Sequence, residues 1–233
     1  MKGSRIVSVL TASLFGLSTA AFANFYSVTS LPGASLDGLP VSATAQFTTA
    51  TGTITLALTN NISNPTSVIQ AISDIFFTAS GVTGGGGLQT PTANLVTIGD
   101  DKSPLVGNPQ WLLTNTSGNN YHLDALAGPA TGPASLIIGP GPYTNANGSI
   151  DSNDPHNPFI NTSATWTLAF AGATASTVIS NVVFSFGTTP GADVGTPVPI
   201  PAAVWLFGSG LLALVAIARR RQGGVMRGSP IAT

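Results

Sequence analysis

Cysteine and glutamate are both absent from this chain, and charged residues make up only 6% of its 233 positions. Without cysteine an exported domain cannot be a disulfide scaffold, so it must hold together by burial alone. Cations are scarcer still where a fold would sit. Of the seven basic residues, Lys2 and Arg5 lie at one end and Arg219, Arg220, Arg221 and Arg227 at the other, leaving Lys102 alone between them. All eight acids are aspartates, and all fall in that middle stretch. A nucleic-acid footprint is therefore excluded, because nothing positive is available to neutralise phosphates. Peripheral attachment to anionic lipid is disfavoured for the same reason. Sustained helical periodicity is missing as well.

What the middle does have is Thr, Ser, Ala, Asn and Gly set around apolar residues that alternate. In GTITLALTN, Ile54, Leu56 and Leu58 face one way while Thr53, Thr55 and Thr59 face the other. SATWTLAFAG repeats this with Ala164, Trp166, Leu168 and Phe170, which places Trp166 in the core. STVISNVVFSFGT does so with Val178, Val182, Phe184 and Phe186. Period-two alternation rich in β-branched and aromatic residues marks half-buried strands. Further strands are expected at 43–48, 111–114, 121–126 and 135–138. Turn-formers separate them at 84–87, Gly128-Pro129, 139–142 and Asn147-Gly148. SVIQAISDIFFTAS carries both periods and reads as a strand at 75–78 entered through a helical turn. Many short strands joined by glycine and proline predict an all-β fold, an antiparallel β-sandwich ectodomain spanning 24–197, with a barrel as the competing β architecture. Aromatic girdles and evenly spaced strands of an outer-membrane barrel are not evident. With so little Lys and Glu, exposed strand edges lack their usual charged guards, which favours self-association.

Both ends read as addresses. Lys2 and Arg5, a short apolar stretch and then Ala21-Phe22-Ala23 follow the order of a secretory signal peptide over 1–23, an N-terminal signal helix cut at an A-x-A site formed by Ala21 and Ala23. The Sec machinery and signal peptidase are the partners this implies. Near the other end, VPIPAAVWLFGSGLLALVAIARRR covers 198–221. Its uncharged core, 202–218, is about 25 Å long as a helix, close to the lower limit for crossing a bilayer. Arg219, Arg220 and Arg221 hold the cytoplasmic side, which puts the domain before them outside and leaves 222–233 as a cytoplasmic tail extension. Pro197, Pro199 and Pro201 keep the chain just outside the membrane extended and accessible.

Val198, Pro199, Ile200 and Pro201, the apolar helix and the Arg219–Arg221 cluster together resemble a PEP-CTERM protein-sorting domain. That family's tail has a Pro-x-Pro signature, one transmembrane helix and a basic cluster. The resemblance implies recognition by an exosortase, a membrane-embedded cysteine transpeptidase of Gram-negative bacteria. It further implies anchoring in the inner membrane before processing, then delivery to the cell surface or an extracellular exopolysaccharide or biofilm matrix. Ile200 stands where the family's signature has glutamate, and the chain runs on past the basic cluster. The tail says nothing about the activity of its cargo.

Candidate chemistry is thin. NANGSIDSNDPHNPF concentrates oxygen donors at Asn147, Asp151, Asn153 and Asp154, the kind a hard cation such as Ca²⁺ takes. The order differs from a D-x-[DN]-x-[DN]-G loop, and Asn, Asp, Gly and Pro also make ordinary turns. Asp100 and Asp101 form a weaker cation candidate. A zinc or catalytic role for His122 and His156 would need them to converge with a carboxylate such as Asp124, and no HExxH spacing is present. Nothing matches G-x-S-x-G, and no aspartate pair is marked as a buried glycosidase dyad. Trp111 and Tyr143, beside proline and glycine, are the aromatics expected to be exposed for sugar stacking. The chain is therefore expected to be an exported, non-enzymatic structural protein of the cell surface or matrix, without a cofactor unless Ca²⁺ binds. The alternative is a secreted carbohydrate-binding or hydrolytic domain on the same sorting tail.

Overall fold

The structure is a computed structural model of the chain, describing residues 23–89, 93–99, 104–107, 109–127, 134–189 and 193–195. Ala21, the Val198–Pro201 signature, the 202–218 run, the arginine cluster, Lys102, Asp100 and Asp101 lie outside the described residues. Among those described, no helix is long and apolar enough to cross a membrane.

In chain order the strands are β1 (Asn24–Thr29), β2 (Ser35–Leu36), β3 (Leu39–Pro40), β4 (Ala43–Ala50), β5 (Thr53–Asn60), β6 (Ile72–Ala79), β7 (Gly87–Gln89) and β8 (Ala93–Val96). They continue with β9 (Pro104–Gly107), β10 (Leu112–Ser117), β11 (Asn120–Asp124), β12 (Ile137–Ile138), β13 (Phe159–Asn161), β14 (Ser163–Ala169), β15 (Ile179–Phe186) and β16 (Asp193–Gly195). The all-β expectation is met. The helical turn expected ahead of β6 is a 3-10 turn, Val68–Gln70, capped by Ser67, whose side chain accepts from the Ile69 N–H.

Two large sheets carry the fold. One runs β1-β4-β5-β14-β7, and every pair in it is antiparallel. The other runs β10-β11-β6-β12-β13-β8-β9, with β15 on the opposite edge of β6 and β16 beyond it. Here one pair departs from a wholly antiparallel arrangement: β12 and β13 are parallel. The loop 139–158 that joins them is long enough for the crossover a parallel pair requires.

Strict alternation in the sequence becomes strict alternation in burial. Ile54, Leu56 and Leu58 are fully buried on β5, as are Trp166 and Leu168 on β14, while the intervening threonines are not. The inner faces of both sheets share one core. Phe47 of the first sheet meets Phe77 of the second at 5.2 Å between ring centroids. Phe77 then contacts Tyr121 at 5.7 Å, and Tyr121 contacts Phe170, just beyond β14, at 4.5 Å. Aromatic rings thus tie one layer to the other and back again, in the tilted geometry their quadrupoles favour.

The alternation misleads at one strand. Val178, grouped above with Val182, Phe184 and Phe186, is 47% exposed, and Ile179 is buried in its place. The register of β15 on β6 slips between Ser180 and Val183, where Asn181 takes a positive φ of 50°. One extra residue at such a bulge reverses which side chains face the core.

A buried amide fastens the two layers. Asn60, at the end of β5, is 1% exposed. Its Nδ2 donates to the Gln70 carbonyl at 2.7 Å and to the Ile137 carbonyl at 2.9 Å, and its Oδ1 accepts from the Ile62 N–H at 3.0 Å. Asn60→Ala would strand three backbone groups, at a cost of about 2–3 kcal/mol. Denaturant unfolding should show a lower midpoint at unchanged slope.

Candidate functional site

Aspartate is uncommon inside strands, because its side chain competes for backbone hydrogen bonds and its charge resists burial. Two aspartates nevertheless stand directly opposite each other here. Asp74 of β6 pairs with Asp124 of β11, and on its other edge Asp74 pairs with Ser185 of β15. Asp74 is 4% exposed and Asp124 8%. His122 lies two residues before Asp124, on the same face of β11, because strand side chains repeat with period two. Its Nε2 is 3.2 Å from Asp74 Oδ1. One donor atom from each of Asp74, His122 and Asp124 lies within 4.8 Å of the other two.

The fold positions each member. The β10–β11 hairpin sets β11 in register with β6, so that His122 falls opposite Phe76, and the two rings stack at 4.8 Å with a 31° tilt. Asp124 ends its strand, and its Oδ1 accepts the Leu126 N–H at 2.6 Å, orienting that carboxylate. Ser73 Oγ lies 3.5 Å from Asp74 Oδ2. The register of β15 against β6 slips beside Asp74, between Ser185 and Phe186. The His122 side chain is 24% exposed and that of Asp74 6%, so the imidazole is the more accessible partner of this pair. Two carboxylates and one imidazole form a donor set that suits a divalent transition cation.

From the sequence, a zinc or catalytic role required His122 and His156 to converge together with a carboxylate such as Asp124, and only His122 meets that carboxylate. His156 does not join them: its Nδ1 is hydrogen-bonded to the Ser149 carbonyl, within the 145–158 loop. Asp74 was missed. Its signal was an aspartate between Ile72 and Ile75, inside an otherwise apolar run in a chain poor in charge.

The residues expected to bind Ca²⁺ sit in that same loop and spend much of their capacity on it. Asn147 Oδ1 accepts from the Ser149 N–H at 2.9 Å and from Ser149 Oγ at 2.5 Å. Asn153 Nδ2 donates to the Gly148 carbonyl at 3.0 Å. Asp151 and Asp154 are exposed. The Asn147 bond to the Ser149 N–H is that of an Asx turn, a backbone role common for such residues.

The aromatics expected at the surface are buried. Trp111 is 5% exposed, with its Nε1–H donating to the Ser135 carbonyl at 2.8 Å and its ring 4.8 Å from that of Trp166. Tyr143 is 9% exposed; its hydroxyl donates to the Gly139 carbonyl at 3.0 Å, and burial pushes its pKa up to about 12. Neighbouring Pro and Gly mark loops, but here the loops fold over the core and take the rings with them. Neither ring offers a face to a sugar. An open groove of about 380 Å³, lined by Leu36, Asp37, Val68 and Phe186 among others, brings a single carboxylate and no imidazole. Comparison of the chain with family models, with curated proteins and with solved structures gave no match.

Proposed function

We propose that this chain is an exported, non-enzymatic structural protein of the cell surface or extracellular matrix, a β-sandwich ectodomain carried by a C-terminal sorting segment. One observation carries the reading: Pro199 and Pro201, the apolar 202–218 and Arg219 to Arg221 follow one another in the order of a PEP-CTERM tail, in a chain with a signal-peptide pattern at its start. An apolar run of that length backed by arginines arrests translocation and holds the proline segment at the outer leaflet, within reach of a membrane-bound transpeptidase. The domain ahead of it suits export, since it keeps a shared apolar core without any cysteine to manage. Burial of Trp111 and Tyr143 weighs against the carbohydrate-binding alternative, whose exposed stacking faces they were to supply.

The test is the intact mass of protein recovered from the surface or medium of a Gram-negative host that has an exosortase. A chain beginning at Asn24 and lacking everything after the proline segment is expected. Recovery of chains still ending at Thr233 would overturn the sorting step.

A further inference from the structure

We infer that Asp74, His122 and Asp124 bind one divalent transition cation, Zn²⁺ first among them, that clamps β6 to β11. The inference rests on the geometry of the group and on a charge imbalance around it. Like charges directly opposite on neighbouring strands repel, and Asp74 faces Asp124 in register with both carboxylates buried. Buried carboxylates need paired cations, because desolvation is otherwise too costly. No lysine or arginine occurs among the described residues, so His122 and His156 are the only side chains there able to carry positive charge. His156 is held in the 145–158 loop. A divalent cation with two carboxylates and a neutral imidazole balances to zero.

Distances agree with this. Ligand atoms about 2.0–2.2 Å from a tetrahedral ion are about 3.3–3.6 Å apart. The His122–Asp74 pair, at 3.2 Å, is already at that spacing, and the group as a whole, within 4.8 Å, needs only side-chain adjustment to reach it. Imidazole in the donor set selects zinc and its neighbours over Ca²⁺ or Mg²⁺, which take oxygen. His122, its side chain 24% exposed, is the member of the group most open to solvent.

The test uses the full chain purified in mild detergent and stripped with chelator, titrated with Zn²⁺ alone and with Ca²⁺ alone. Equilibrium dialysis with elemental analysis is expected to show one Zn²⁺ per chain. At a hundredfold excess over Kd, the midpoint of thermal unfolding should rise by about 5–10 °C. Asp74→Asn and His122→Gln should each lower affinity at least tenfold, while Asp151→Asn leaves it unchanged. In the unsubstituted protein, the His122 ring resonances should move on Zn²⁺ addition and those of His156 should not, a readout that stands even if a variant fails to fold. Absence of Zn²⁺ binding would overturn the inference. So would binding that survives Asp74→Asn with His122→Gln, movement of His156 instead of His122, or a preference for Ca²⁺.

Discussion

Trp166→Ala should lower the stability of the domain by about 3–5 kcal/mol, the range for deleting a large buried aromatic. Trp166 is among the largest fully buried side chains and lies on β14, flanked by β5 and β7 in the first sheet. Its indole packs 4.8 Å from Trp111, so alanine would open a cavity and also loosen the ring that fixes the 109–111 segment onto Ser135. In a domain of this size the melting midpoint would fall by about 8–16 °C. Calorimetry gives the shift, and near-ultraviolet circular dichroism should lose the signal of the tryptophan pair. Trp166 Nε1 has no hydrogen-bond partner among the described residues. Trp166→Phe should therefore cost much less than alanine, because it removes an unpaired donor and keeps most of the apolar volume. Val178→Ala supplies the contrast. The sequence put Val178 on the core face with Phe184, yet it is exposed, and its loss should change stability by no more than about 0.5 kcal/mol.

Gly139→Ala is expected to cost about 3 kcal/mol or more, from overpacking against backbone that cannot rotate away. A Cβ at Gly139 would stand 1.8 Å from the Ile62 carbonyl oxygen and 2.8 Å from its carbon. The same Cβ would stand 3.2 Å from Asn60 Oδ1, which accepts the Ile62 N–H, so displacing Ile62 would strain the fastening between the two layers. The Asn64 N–H to Pro140 carbonyl bond, at 2.8 Å, holds the same two segments together and would be strained with them. Thermal unfolding should show the loss directly. If Gly139→Ala melts within about 2 °C of the parent, a shift equivalent to under 1 kcal/mol, the close approach of loop 61–67 to Gly139 is wrong. Because Gly139 and Asn60 act on the same contact, Gly139→Ala combined with Asn60→Ala should cost less than the sum of the two.

Three strands with one face to solvent and the other to the core were legible, whereas β1 and β8 were not anticipated. β4, β5 and β14 have such faces, and alternation of polar residues with Ala and Phe on β4, and of threonine with Ile, Leu or Trp on β5 and β14, marked the elements. β6 was only half legible, since it is buried on most of both faces and a doubly buried strand has no period to read. β15 was read in the wrong phase at its start because a bulge adds a residue without leaving a mark in the apolar pattern. The loops concealed most. Trp111 and Tyr143 sit among glycine and proline, which signal a change of chain direction but not whether the loop folds back onto the core.

Composition and order along the chain were enough to determine that this protein is all-β and that it holds together without disulfides. Those properties are sums or local patterns, which a linear sequence carries in full. Tertiary structure alone decided that Asp74, an unremarked residue in an apolar run, faces Asp124 some fifty positions away and meets His122 at 3.2 Å. That meeting depends on the register of two strands distant in the chain, and register is set by packing across the whole sheet rather than by any residue within the site.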